Sequence, residues 1–263
     1  MTSLLTEAGK RVSAHWLTAI LLPGLLLVAV AATGFVLGHA HALDLTRLSN
    51  EVSKLLKAQA GQLVVTMALA AAAAGVLGSA AGGIGKVVQR WWLRERFLTG
   101  GLITRSRWSR RSRAVAAARL ADTVPIDAYL PKRPTWIGDR VRLVEARVRA
   151  EYHVSAALVW PRVWLLLTED ARRPISDARA RYADAVTLTG WGTLYLTAGL
   201  LWWPALIIGS AVWLTAWQRA RGTVAEHAEL VESAIDVHLP GLGEVLGVSD
   251  GKAIDDRLRK SGQ

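Results

Sequence analysis

The sequence predicts an all-α, multi-pass membrane protein. It has four membrane segments, the last two a tight helical hairpin, and a small helical cytoplasmic domain. Three observations predict this. No Asp, Glu, Lys or Arg occurs from Val12 to Leu43, from Ala58 to Gly85, or over the 34 residues from Ala185 to Gln218. Basic residues crowd particular flanks of these runs. Tryptophan, twelve in 263 residues, recurs near their ends, where amphipathic indoles favour the headgroup level. The implied segments are 1–88, a pair of transmembrane helices; 89–183, a basic cytoplasmic region; 184–218, the hairpin; and 219–263, a cytoplasmic tail.

Within the first two runs, Trp16–Gly38 and Leu63–Ile84 are each long enough to span a core of about 30 Å. The third run would reach about 51 Å as one straight helix. It is too long for one span and short for two, so the expected solution is a turn at Trp202-Trp203-Pro204. The arms, Ala185–Leu201 and Ala205–Gln218, would then cover about 26 and 21 Å. A re-entrant hairpin is the alternative to a full crossing. Lys10-Arg11 and Ala40-His41-Ala42 also resemble parts of a signal sequence, but the apolar stretch between them is long for one.

Charge sets the orientation. Lys86–Arg113 holds nine Lys/Arg and one acid, Glu95, while the loop after the first span holds Arg47, Lys54 and Lys57 against Asp44 and Glu51. Arg179 and Arg181 precede the hairpin, and Arg219 and Arg221 follow it. The positive-inside rule then puts both termini and the central region in the cytoplasm. Arg90, Arg94, Arg96, Arg105, Arg107, Arg110, Arg111 and Arg113, interleaved with Trp91, Trp92, Phe97 and Trp108, are expected to rest on anionic headgroups. No nucleic-acid-binding module is recognisable.

Small residues mark the second span. Ala71, Gly75, Ser79 and Gly83 recur every four residues, with Ala74, Gly78 and Gly82 as a neighbouring ridge. They read as helix-packing positions, within the bundle or between copies. The Gly82–Lys86 stretch is not a phosphate loop, because Val87 replaces the Ser/Thr and no strand precedes it.

In the cytoplasmic region, Pro125, Pro131 and Pro134 mark a linker. A helix follows over Ile137–Tyr152, capped by Thr135. Ala156–Leu167 is too short to span and suits an interfacial helix or a domain core. Ser176-Asp177 reads as the start of the helix entering the hairpin. In the tail, Val224–Leu239 reads as an acidic amphipathic helix folding back on the basic region, with loop from Gly241 onward.

The run Pro134-Thr135-Trp136-Ile137-Gly138-Asp139-Arg140-Val141-Arg142 with Glu145, followed by Trp160-Pro161-Arg162-Val163-Trp164, resembles a block in actinobacterial-type multi-pass membrane proteins. Those relatives often carry Asn at the position of Asp139 and Leu at that of Val163. The resemblance covers roughly 131–218 and implies no activity. It suits a bacterial cytoplasmic membrane, as do 25 Arg against 7 Lys. Trp136, Arg140, Glu145, Trp160, Arg162 and Trp164 form a possible docking surface, with Arg140, Glu145 and Arg162 as an ion network beneath the indoles.

Catalytic signals are weak. Cysteine is absent, and His15, His39, His41, His153, His227 and His238 are scattered. His39-x-His41 with Asp44 is a poor metal set, and no cofactor is expected. The spans lack ionisable residues of the kind that mark coupling sites. Thr187, Thr189, Thr193 and Thr197 are expected to bond their own helix backbone. The expected function is non-enzymatic: a membrane interaction or scaffold protein whose partners are the bilayer, its anionic headgroups, and a second protein or another copy. The alternative is a channel or transporter component made by oligomerisation of the small-residue helices.

Overall fold

The computed structural model describes residues 21–56, 60–94, 109, 132–248 and 250–260. Among them are eight helices and no strand. We number them α1 (Leu22–Leu37), α2 (Leu45–Leu56), α3 (Ala60–Leu93), α4 (Trp136–Tyr152), α5 (Ala156–Leu166), α6 (Glu169–Ala198), α7 (Trp203–Leu246) and α8 (Gly251–Lys260). The chain forms two compact units from alternating segments. Unit 1 comprises Met1–Val88 and Asp184–Gln218; unit 2 comprises Gln89–Ala183 and Arg219–Gln263.

Unit 1 holds the apolar helices. Helix α3 is long and apolar enough to cross a membrane: its most apolar 18 residues have a mean hydropathy of 2.0, and only 11 % of them are buried. Val64, Met67, Leu69 and Val76 are exposed along it. Helix α1 is apolar but shorter. Residues 16–20 of the span expected at Trp16–Gly38 lie outside the described residues. Around Leu27, Ala81, Trp191 and Tyr195 the apolar helices share a small core.

Glycine lets these helices approach. A Cβ on Gly24 would stand 2.6 Å from the Ala74 carbonyl oxygen. One on Gly85 would strike the Val186 carbonyl, and one on Gly190 would strike that of Ala81. The hairpin arms meet the same way: a Cβ on Gly192 would lie 2.9 Å from the Trp213 nitrogen, and one on Gly209 2.6 Å from that of Leu196. Such close approach lets the helix backbones themselves supply packing contacts.

The buried stripe of α3 is Ala74, Gly78, Ala81 and Gly85. Of the seven packing positions expected from sequence, Ala74 and Gly78 lie on it. Ala71, Gly75 and Gly82 are half-buried, and Ser79 and Gly83 are exposed. Cβ atoms on Gly75, Gly82 and Gly83 would meet nothing within 4 Å. The reason is the helical period. A strict four-residue step drifts by about 40° each time, whereas alternating steps of three and four keep to one face.

The hairpin turns at Gly199–Trp202, just before the expected site. The Leu201 and Trp202 N–H groups donate to the Ala198 carbonyl at 3.0 and 3.2 Å. Pro204 is the second residue of α7, where no intrahelical donor is needed. Neither helix stops at the ends of the charge-free run. Helix α6 begins at Glu169, not Ser176, and has acids in its first turn and Pro174 inside. Buried Ile175 and Ala178 hold that turn in unit 2.

Unit 2 is built around Val148, Val159, Val163, Ile235, Leu239 and Ile254. Helix α5 belongs to this core, and Trp160 and Trp164 pack against it. The tail is helical where loop was expected. Helix α7 passes Pro240 and Gly241 to Leu246, and α8 follows. Gly247, at φ 69°, ends α7, with the Val248 N–H donating to the Gly243 carbonyl at 2.9 Å. Buried Leu239, Leu242, Ile254 and Leu258 outweigh the poor helix propensity of Pro-Gly.

The Gly190 contact predicts an asymmetry. Gly190→Ala must push α3 and α6 apart and is expected to cost about 1–3 kcal/mol. Gly75→Ala meets open space and gains helix propensity. Thermal denaturation in mild detergent should show a lower Tm for Gly190→Ala and no loss for Gly75→Ala.

Candidate functional site

The strongest concentration of buried charge lies in unit 2, between α4 and the second half of α7. Arg140 and Arg147 stand seven residues apart on one face of α4, and Glu232 and Asp236 stand one turn apart on α7. Arg140 grips Glu232 through Nη1 at 2.6 Å and Nη2 at 3.3 Å. Arg147 donates to Glu232 at 3.1 Å and to Asp236 at 2.9 Å. The Tyr152 hydroxyl donates to Asp236 at 3.0 Å. The Glu232 side chain is only 10 % exposed and that of Arg140 18 %, so each charge depends on the other.

The local electrostatics follow. Burial pushes the Tyr152 hydroxyl up to about 12, and its bond to the Asp236 carboxylate adds to this. Burial works against the Arg147 cation, but Asp236, Glu232 and Glu151 outweigh it and hold the guanidinium above its ordinary value. Both groups keep their protons at neutral pH. Neither is suited to act as a base.

The block at the start of α4 is a structural joint. Thr135 caps α4 by accepting the Gly138 N–H at 3.1 Å, and its hydroxyl donates to the Trp92 carbonyl at the end of α3. Gly138 leaves room for that carbonyl, which a Cβ would meet at 2.7 Å. Buried Asp139 accepts the Lys132 N–H and the Arg142 side chain, each at 3.1 Å. Glu145 accepts the Ala157 N–H at 3.2 Å, in the first turn of α5, and the Arg149 guanidinium at 2.6 Å. Thr135 and Glu145 thus serve the first turns of α4 and α5, where backbone donors lack intrahelical partners.

Arg140, Glu145 and Arg162, expected as one network, take separate partners. Arg140 goes to Glu232, Glu145 to α5, and Arg162 to the Leu158 carbonyl of its own helix at 2.7 Å. Arg162 is four residues from Leu158, so its own backbone is the nearer acceptor. Trp136 carries the Arg221 guanidinium 4.8 Å from its ring centroid. Trp160 and Trp164 contact each other at 5.7 Å, and Arg172 caps Trp164. Arg90 and Arg94 are exposed at the end of α3. Arg96, Arg105, Arg107, Arg110, Arg111 and Arg113 lie outside the described residues, as do Pro125 and Pro131.

Asp236 and Arg147, the centre of the observed network, were not among the expected site residues. The fold-back of the tail was expected; the partners were not. A cleft of about 670 Å³ opens beside the network, with Glu151, His153, Glu244 and Asp250 on its walls and Leu239 and Ile254 among its apolar residues. Among the described residues, no group of three or more His, Asp and Glu stands ready for a metal. His41, expected as a poor ligand, lies 3.5 Å from the Arg47 cation.

No family model, curated protein or solved structure matches this chain. The residues alone carry the functional argument.

The network predicts unequal costs. Glu232→Ala strands the Arg140 guanidinium and takes one of the acid partners of Arg147, and is expected to cost about 2–3 kcal/mol. Arg181→Ala breaks an exposed pair with Glu226, each side chain about half open to solvent, and should cost under about 1 kcal/mol. A double-mutant cycle read by urea denaturation checks both. Asp255 gives a pH signature. The Ser155 N–H, then Arg259, hold its carboxyl below the usual range against the opposing effect of burial. The stabilisation is therefore present above the unfolded pKa and is lost as pH falls through the folded one. Asp255→Asn should lower Tm at pH 7 and flatten the Tm decline below about pH 4.

Proposed function

We propose that the chain is a four-pass integral protein of a bacterial cytoplasmic membrane, with both termini inside. In this reading the basic unit 2 is a non-enzymatic interaction module held at the inner leaflet. The observation that carries the reading is the match between charge and fold. Unit 1 contains all three charge-free runs and only ten of the chain's 53 Asp, Glu, Lys and Arg residues; unit 2 contains the other 43. Two solvents for two units explain that partition.

A contact inside unit 1 favours a full crossing by the hairpin over a re-entrant turn. Trp202 Nε1 donates to the Ala42 carbonyl at 2.9 Å, and a Cβ on Gly34 would meet Trp202 Cβ at 2.9 Å. The hairpin turn therefore lies level with the end of α1, which supports a common depth for the two in this reading. The pore reading loses its polar lining. Thr189, Thr193 and Thr197 donate to carbonyls of their own helix at 3.0, 2.9 and 2.7 Å. The chemistry of unit 2 supports the non-catalytic part of this reading: its strong polar contacts close on themselves, and the half-buried Tyr152 hydroxyl is held protonated.

The absence of cysteine makes the test direct. Single cysteines at Asn50, Leu200 and Glu229 are probed with an impermeant maleimide on intact cells. Labelling at Asn50 and Leu200, with Glu229 reactive only after permeabilisation, is the expected pattern. Reaction at Asn50 but not Leu200 makes the hairpin re-entrant. Reaction at Glu229 in intact cells overturns the topology. Cross-linking in native membranes then tests the interaction role: a homo-oligomer without any partner, or solute flux in liposomes that requires Thr193, sinks it.

A further inference from the structure

We propose that α2 is an interfacial amphipathic helix that lies along the outer surface of the bilayer, with its apolar stripe seated at the boundary between headgroups and acyl chains. The proposal rests on the membrane reading of unit 1 and adds a lipid-binding surface to it.

The sequence pattern comes first. Apolar residues recur at 45, 48, 52, 55 and 56, with polar or charged residues at every other position from 46 to 54. At 3.6 residues per turn these apolar positions fall within an arc of about 100°. The helix starts cleanly, because the Asp44 carboxylate accepts the Arg47 N–H at 2.9 Å. Yet two of its residues stay open: Leu45 is 75 % exposed and Val52 45 %, while Leu48 is half-buried. In water these residues gain nothing from their alignment.

Position identifies what covers them. Helix α2 is tethered at both ends to apolar helices. Its first residue follows the end of α1 by eight residues, and its last precedes α3 by four. Even extended, those links reach only about 28 and 14 Å. Trp202, whose indole suits the headgroup level, holds the Ala42 carbonyl three residues before α2 begins. With α1 and α3 in the bilayer, α2 has no route away from its surface.

Charge identifies how it binds. Arg47, Lys54 and Lys57 stand against Asp44 and Glu51, a net of only +1, and Lys54 already pairs with Glu51 at 2.6 Å. Polybasic membrane anchors depend on anionic lipid. This helix carries no such excess, so its attachment is by apolar insertion and does not require anionic headgroups.

The test uses the full chain with single cysteines carrying an environment-sensitive fluorophore, reconstituted into phosphatidylcholine vesicles that contain nitroxide lipids. Probes at Leu45 and Val52 are expected to be blue-shifted and quenched by a nitroxide near the headgroups. Probes at Asn50 and Lys54 are expected to stay red-shifted and be quenched by aqueous iodide. A probe at Met67 in α3, expected to be quenched by a nitroxide near the bilayer centre, separates the two readings. Quenching at Met67 with equal water exposure at positions 50 and 52 overturns the interfacial helix alone. No quenching at Met67 overturns the membrane reading and this one with it. Shielding of Leu45 and Val52 from both iodide and lipid nitroxide assigns the stripe to a protein contact and overturns the proposal. Attachment that appears only when phosphatidylglycerol is added overturns the apolar mode of binding.

Discussion

The close approach of α3 and α6 at Gly190 constrains everything in unit 1. The Ala81 carbonyl and the Gly85 backbone occupy the space where a side chain on Gly190 would stand. Such packing has little tolerance. A hydrophobic core in water adjusts to small volume changes by shifting flexible side chains, but here backbone meets backbone. The same device recurs at Gly24, Gly34, Gly192 and Gly209, each against a different neighbour. At these five positions glycine reflects geometry, and its cost in helix propensity is offset by contact area that no larger residue could make.

Unit 2 is held together by different means. Its core is made of branched aliphatic side chains, and its polar groups close into pairs between α4 and α7 or at helix ends. Ion pairs of this kind contribute little net stability relative to apolar replacements, yet stranding one member is expensive. The Arg140–Glu232 grip therefore acts on specificity. Residue 232 lies 92 positions from residue 140, and the bidentate geometry fixes the register of α7 against α4. An apolar contact, being non-directional, would allow that helix to slide.

The legible parts of this fold were those written in local pattern. The apolar runs, the hairpin turn, the Thr135 cap and α4 depend on composition, proline and short-range spacing, and all can be read within a window of a few turns. What escaped was decided by distant partners. Helix α6 continues upstream through Pro174 because Ile175 and Ala178 are buried. Helix α7 continues through Pro240-Gly241 because Leu239 and Leu242 meet the core. The acidic tail helix was expected to meet the basic region, but local pattern does not single out Glu232 and Asp236 as the acids that face Arg140 and Arg147. The packing stripe of α3 could have been found: steps of four, three and four over Ala74, Gly78, Ala81 and Gly85 match the helical period better than the strict four-residue ridge.

The alternation of segments has a consequence for how the chain reaches its native state. Neither unit is continuous. Unit 1 lacks its hairpin until 184–218 is made, and unit 2 lacks α7 and α8 until the last segment, 219–263, is available. Before that point, the apolar face of α4 and α5 has no cover, and Arg140 and Arg147 have no carboxylates. The contacts that complete each unit are long-range in sequence, which makes closure entropically costly and slow. Under the membrane reading proposed above, a bilayer would ease this cost for the hairpin by confining it to a layer about 30 Å thick. Unit 2 has no such aid by itself. Its late-forming ion grip, directional and confined to one register, supplies the discrimination that a slow, long-range closure most needs.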